Sequence, residues 1–165
     1  MTNVRLLSII FVFLFLGGCV EQQPNNTAFF CPQDDCEERV IIAINNAEHS
    51  IDAAIYSFTS KNIASALIEA QNRGILPRII IDSLQSKSKY AMDEFLKQNN
   101  IETRIMPSTM HNKFVIIDNS LIITGSYNWT KNANSKNNEN LVFIQDKETA
   151  ELFSREFFDL WIKSN

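Results

Sequence analysis

The sequence is poor in imidazoles, thiols and excess positive charge. Only His49 and His111 are histidines among 165 residues, and only Cys19, Cys31 and Cys36 are cysteines. They do not gather at metal-ligand spacing, so no metal and no cofactor are expected. Formal net charge is −4, and it becomes −5 once residues 1–18, with Arg5 as their one charged side chain, are set aside. Such a balance gives no long-range attraction for a polyanion, so nucleic acid would have to be met by a local basic groove. No internal repeat is visible, so any motif is present in one copy. The apolar run Leu6 to Leu16 falls short of the about 20 residues that span a bilayer comfortably. The length and the ordinary apolar fraction fit one domain with a real core.

That N-terminal run reads as an export signal, with Arg5 before it and the small residues Gly17 and Gly18 after it. Leu16-Gly17-Gly18-Cys19 resembles the lipobox of bacterial lipoproteins, in which the cysteine is lipidated and becomes the new N-terminus. The alternatives are ordinary secretion with cleavage nearby and an uncleaved anchor. The expected organisation is a signal peptide over 1–18, a polar tether over 19–27 and a catalytic domain over 28–165. Val20 is not the aspartate associated with inner-membrane retention, so a lipid-anchored, exported protein is expected on the outer membrane of a host that has one. Outside the cytoplasm, Cys31 and Cys36 are candidates for a disulfide; two reduced thiols are the alternative.

From Ala28 onward strands and helices alternate. Strands are expected at 28–31, 50–58, 78–82, 102–106, 113–117, 121–124 and 141–145. Helices are expected from an Asp34 or Asp35 cap to about Glu48, from a Ser60 cap to about Arg73, and over Lys87 to Gln98. A closing helix carries Leu152, Phe153, Phe157, Leu160 and Trp161 as a core stripe. The pattern predicts an α/β fold, a mixed and mainly parallel sheet flanked by helices.

The chemistry concentrates in Met110-His111-Asn112-Lys113-Phe114-Val115-Ile116-Ile117-Asp118 and Gly125-Ser126-Tyr127-Asn128-Trp129-Thr130. In a strand, residues i and i+2 share a face, so His111 and Lys113 project into one site. An imidazole able to attack phosphorus beside a fixed positive charge suits phosphoryl transfer. His-x-Lys-x4-Asp followed by Gly-Ser-x-Asn resembles the signature of the phospholipase D superfamily. Ile55-Tyr56-Ser57-Phe58-Thr59, Ile79-Ile80-Ile81-Asp82 and Ser135-Lys136-Asn137-Asn138-Glu139-Asn140-Leu141 resemble its small bacterial EDTA-resistant nucleases.

The resemblance implies His111 as a nucleophile that forms a phosphohistidine, Lys113 and Asn128 on the phosphate oxygens, Ser126 near the same phosphate, and Glu139 as acceptor from His111. Asp118 completes the signature; its hairpin position suggests a structural role, satisfying turn amides. With one signature copy and His49 unaccompanied by a lysine, the second histidine is expected from a second subunit in a homodimer. Lys87, Lys89 and Lys136 are candidate substrate contacts, with Lys131 also near the site. Tyr127 and Trp129 either stack on bases or pack beneath their loop. The expected reaction is metal-independent hydrolysis of DNA or RNA. A phospholipid hydrolase, acting on cardiolipin or another phosphatidyl lipid, is the first alternative; a non-catalytic binding module is the second.

Overall fold

A computed structural model describes residues 26–165. The expected signal peptide, Cys19 and nearly all of the tether lie outside the described residues. The elements are β1 (Thr27–Cys31), α1 (Cys36–Asn45), β2 (Ile51–Ile55), α2 (Lys61–Asn72), β3 (Arg78–Asp82), α3 (Ser83–Ser86), α4 (Asp93–Gln98), β4 (Glu102–Met106), β5 (Lys113–Ile117), β6 (Leu121–Gly125), α5 (Lys131–Ser135), β7 (Glu139–Gln145) and α6 (Lys147–Lys163).

The strands form one seven-stranded mixed sheet in the order β1-β7-β6-β5-β2-β3-β4. Helices flank it, so the α/β sandwich stands. The parallel majority does not: only β2–β3 and β3–β4 are parallel, and the four other pairings are antiparallel. Helical crossovers link β2 to β3 to β4 and force parallel pairing there. The 118–120 turn joins β5 to β6 as a hairpin, and β7 and β1 extend that antiparallel half.

Side-chain alternation splits the core into two layers. Ala53, Ile55, Ile79, Ile81, Val115 and Ile117 pack with Val40, Ile44, Ile63, Leu67 and Leu96 of the helices on one face. Ala54, Ile80, Phe114, Ile116 and Ile122 pack against Ala150, Phe157 and Trp161 of α6 on the other. Leu152, expected in that stripe, is instead 57% exposed; Phe153 and Leu160 are partly buried. Among the described residues, no helix is long and apolar enough to cross a membrane.

The caps follow local chemistry. Asp35 accepts from the Glu38 amide to start α1, and Ser60 from the Ile63 amide to start α2. The continuous helix expected over 87–98 is not formed. A single turn, α3, follows β3, and residues 87–92 run as turns and bends before α4. The Met92 amide donates to the Phe58 carbonyl, a tertiary bond that diverts the chain from a helical path.

Candidate active site

Antiparallel pairing of β2 with β5 sets Ile55 opposite Lys113. The C-terminal ends of β2, β3, β4 and β6 therefore meet the N-terminal ends of β5 and β7 at one edge of the sheet. That edge carries His111, Lys113, Ser126, Asn128 and Glu139 together.

His111 and Lys113 touch, as their shared face requires. Lys113 Nζ lies 3.1 Å from His111 Nδ1 and 3.4 Å from Nε2, and donates to the His111 carbonyl at 2.8 Å. The exposed His111 ring lies 4.5 Å from that of Tyr56 at a tilt of 51°, and Lys113 Nζ stands 5.1 Å above the same Tyr56 ring. Burial pulls the Lys113 ammonium below the ordinary lysine range, and Glu139 partly opposes this.

Backbone bonds lock the Gly-Ser-x-Asn loop onto the segment after β2. Trp129 donates to the Ser57 carbonyl, and Thr59 and Ser60 both donate to the Trp129 carbonyl. Asn128 Oδ1 accepts from the Ser57 amide at 3.2 Å. With its oxygen occupied, the Asn128 amide presents its two N–H donors, the group suited to a phosphate oxygen. Gly125 at φ +153° passes so close to Asn140 that a Cβ would lie 2.2 Å from its carbonyl oxygen. Only glycine fits there.

Glu139 is placed differently from expectation. Its carboxylate accepts a very short hydrogen bond from Ser126 Oγ and another from Asn137 Nδ2 at 2.9 Å, rather than one from His111. Ser126 leaves β6, the immediate neighbour of β7, so its hydroxyl reaches Glu139 directly. His111 enters β5, one strand further away.

Asp118 lies at the opposite edge. It accepts from the amides of Glu48, His49 and Ser50 at 2.9, 2.7 and 2.9 Å. Burial pushes its carboxyl up, but the three amides and nearby His49 outweigh that, so it titrates below the usual carboxylate range. The carboxylate satisfies turn amides, but these belong to the turn before β2 rather than to its own hairpin. His49 is thereby fixed at this far edge, separated from His111 by more than the length of the five-residue β5, itself about 17 Å.

Lys87 and Lys89 are exposed on the segment after α3, and Lys136 is exposed at the end of α5. Tyr127 and Trp129 are 1% and 2% exposed and pack beneath the loop, which removes them as stacking surfaces. Cys31 and Cys36 are joined, with Cα atoms 5.8 Å apart. Among the described residues, no cluster of three or more His, Cys, Asp or Glu is suited to a metal ion. A cavity of about 480 Å³ between α1 and the sheet includes Asp118 but none of the five residues at the catalytic edge.

Three supporting residues were given no role by the sequence reading, although Tyr56 and Asp82 lie in segments that carry the resemblance. Asp82 is fully buried; its Oδ1 accepts from the Leu84 and Gln85 amides and its Oδ2 from the Met110 amide. It thus fixes the residue just before His111. Gln85 donates to Tyr56 Oη at 3.0 Å, completing the wall beside the imidazole. Polar residues at the carboxyl ends of parallel strands are the available signal, because α/β sheets place their sites there.

The family model described as cardiolipin synthase, PLD-like domain, matches residues 40–161. A phospholipase D of Rickettsia prowazekii is 36% identical over 143 residues, covering 86% of this chain and 70% of the relative. A mitochondrial cardiolipin hydrolase of Chlamydomonas reinhardtii is 30% identical over 141 residues, covering 79% of this chain and 63% of the relative. The crystal structure of Nuc, a phospholipase D family member from Salmonella typhimurium, superposes with a TM-score of 0.81 at 32% identity, covering 87% of this chain and 97% of that one. Sequence match, superposition and a touching His-x-Lys pair point the same way, and the chain belongs to the phospholipase D superfamily, a family of phosphodiesterases.

Proposed function

We propose that this chain is a metal-independent phosphodiesterase of nucleic acid, acting as a homodimer with one composite site. The observation that carries the reading is the His111–Lys113 contact at an open sheet edge, with the other imidazole, His49, more than about 17 Å away at the opposite edge. One imidazole can attack, but the leaving oxygen needs an acid. His111 of the partner subunit is the remaining imidazole that can supply it.

A ring nitrogen of His111 attacks phosphorus, and the bond from phosphorus to one ester oxygen breaks. The partner's His111 protonates the departing alcohol. Water then attacks the phosphohistidine and gives its proton to the partner's His111, and the P–N bond breaks. Lys113 and Asn128 from both subunits hold the non-bridging oxygens and supply the positive field another hydrolase takes from a metal. Ser126, held by Glu139, lies beside that phosphate, and Asp82 positions the His111 segment. Exposed Lys87, Lys89, Lys131 and Lys136 flank the edge and supply local positive charge that the net charge of −4 does not.

Phospholipid hydrolysis is the second reading. It is favoured by the lipid-hydrolase names of the Rickettsia and Chlamydomonas relatives and by Leu84, 60% exposed near the site. Assays in EDTA of single-stranded DNA, duplex DNA, RNA and cardiolipin separate the readings. Cleavage of a polymer but not cardiolipin supports the first. Cardiolipin turnover alone supports the second, and inactivity on all four points to a binding module. Loss of activity on chelation would refute the metal-free mechanism. We further propose export and lipid anchoring at Cys19. Labelling by a radioactive fatty acid that disappears in Cys19→Ser is the check.

A further inference from the structure

Beside the catalytic edge lies a cleft of about 530 Å³ lined by Ser57, Thr59, Tyr90, Thr130, Lys131 and Asn132. That volume falls in the about 300–1,000 Å³ range of small-ligand sites. The cleft is continuous with the catalytic edge through its own residues. Ser57 donates to the Asn128 side chain, Thr130 follows Asn128 by two positions, and Tyr56, next to Ser57, lies against His111.

Tyr90 is the aromatic element of this cleft, and the residue is 63% exposed. The segment under it is tied down. The Tyr90 amide donates to Ser88 Oγ at 3.3 Å, the Ala91 amide to the Ser88 carbonyl, and the Met92 amide to the Phe58 carbonyl. Lys89 Nζ stands over one face of the ring, 4.9 Å from its centroid, and leaves the other face for a base. The other lining residues offer the hydroxyls of Ser57, Thr59 and Thr130, the ammonium of Lys131 and the amide of Asn132. A large ring held in water on a fixed backbone, with a cation over one face and polar donors lining the same cleft, has the composition of a stacking platform for a base.

We infer that Tyr90 stacks on the base of a nucleotide flanking the scissile phosphate, and that Lys131 meets the backbone of the same strand. The inference rests on the proposed nucleic-acid phosphodiesterase and narrows its substrate to single-stranded polymer. A base in a duplex is already stacked on its neighbours and would have to leave them to reach Tyr90. Tyr90 is a specificity-determining residue and takes no part in the chemistry.

The test compares the full chain with Tyr90→Ala, Tyr90→Phe and Leu84→Ala on a single-stranded oligonucleotide in EDTA. A second oligonucleotide series carries one abasic nucleotide at each position near the cut. The expected result is a KM raised about 5- to 100-fold in Tyr90→Ala, with little change in Tyr90→Phe or Leu84→Ala. One abasic position should raise KM for the wild type and leave that of Tyr90→Ala unchanged, a coupling that general damage to the fold would not produce. An unchanged KM in Tyr90→Ala, while the wild type cleaves, overturns the inference and leaves the proposed function standing. Equal losses in Tyr90→Ala and Leu84→Ala, or lost binding to anionic phospholipid vesicles with oligonucleotide KM unmoved, also overturn it. A wild type that cleaves no polymer removes the proposed function itself.

Discussion

The Met110 amide donates a 2.9 Å hydrogen bond to the carboxylate of Asp82, across 28 positions of sequence. The other oxygen of that carboxylate caps the turn after β3. One buried side chain therefore sets both the wall and the entry of the His111 segment. Asp82→Asn exchanges an acceptor for a donor on one side, leaving backbone amides unmatched. Turnover at saturating substrate is expected to fall about 10- to 100-fold with little change in KM, the pattern of a misplaced nucleophile. A KM effect with turnover intact would contradict this positioning role.

His111→Ala is expected to abolish phosphodiester hydrolysis and to leave the melting temperature within a few degrees of the wild type, because the ring is exposed and supports no core contact. Lys113→Ala should lower turnover about 100- to 1,000-fold, the usual effect of losing one preorganised donor at a developing charge. Because burial lowers the titration of Lys113, the alkaline decline of activity should begin below the pH expected of a free lysine at 10.5. A pH–rate profile of the wild type and Lys113→Arg checks this.

Asp118 gives a stability test with a defined sign. Its folded value lies below the ordinary 3.8, so the folded state favours the charged form. Its stabilisation is fully present above about pH 4–5 and is lost as pH falls through the folded value. Asp118→Asn is expected to be less stable by about 1–2 kcal/mol at pH 7 in urea unfolding, and the gap should close in acid. A gap independent of pH would show that the carboxylate charge is not the source.

The buried Tyr127 hydroxyl has no hydrogen-bond partner, and burial pushes its titration far above the ordinary phenol. Removing an unsatisfied buried hydroxyl relieves a desolvation penalty. Tyr127→Phe is therefore expected to be neutral or more stable by about 1 kcal/mol, read by urea unfolding. A loss of stability would mean the hydroxyl is satisfied in solution.

The Cys31–Cys36 bond closes a small loop between β1 and α1. Loop-closure entropy for that length gives about 2 kcal/mol. Reductant, or Cys31→Ser with Cys36→Ser, is expected to lower the melting temperature by roughly 6 °C. Titratable thiols at both Cys31 and Cys36 in the unreduced protein would contradict the pairing.

Local signals made much of this fold legible in the sequence. The apolar run at 78–82, the Ser60 cap with Gly74 at φ +96° beyond the helix, and the 118–120 turn all specify structure from within a few residues. The His111–Lys113 pair was legible for the same reason, because strand alternation brings i and i+2 together. What stayed hidden depends on distant partners. Residues 87–92 leave the helical path for a bond to Phe58, and Glu139 takes the hydroxyl on the adjacent strand rather than the imidazole on the next. Asp82 ends an apolar strand, and only the sheet brings it under Met110. The parallel majority failed because helical crossovers stop at β4, after which turns and loops reverse the chain.

Subunit mixing tests the composite site most directly. Wild-type chain is equilibrated with increasing His111→Ala chain at fixed total concentration, and hydrolysis is measured in EDTA. If each site needs both His111 rings, only wild-type pairs are active, and activity should fall as the square of the wild-type fraction. A linear fall, or full activity from a species that sediments as a single subunit, would contradict it.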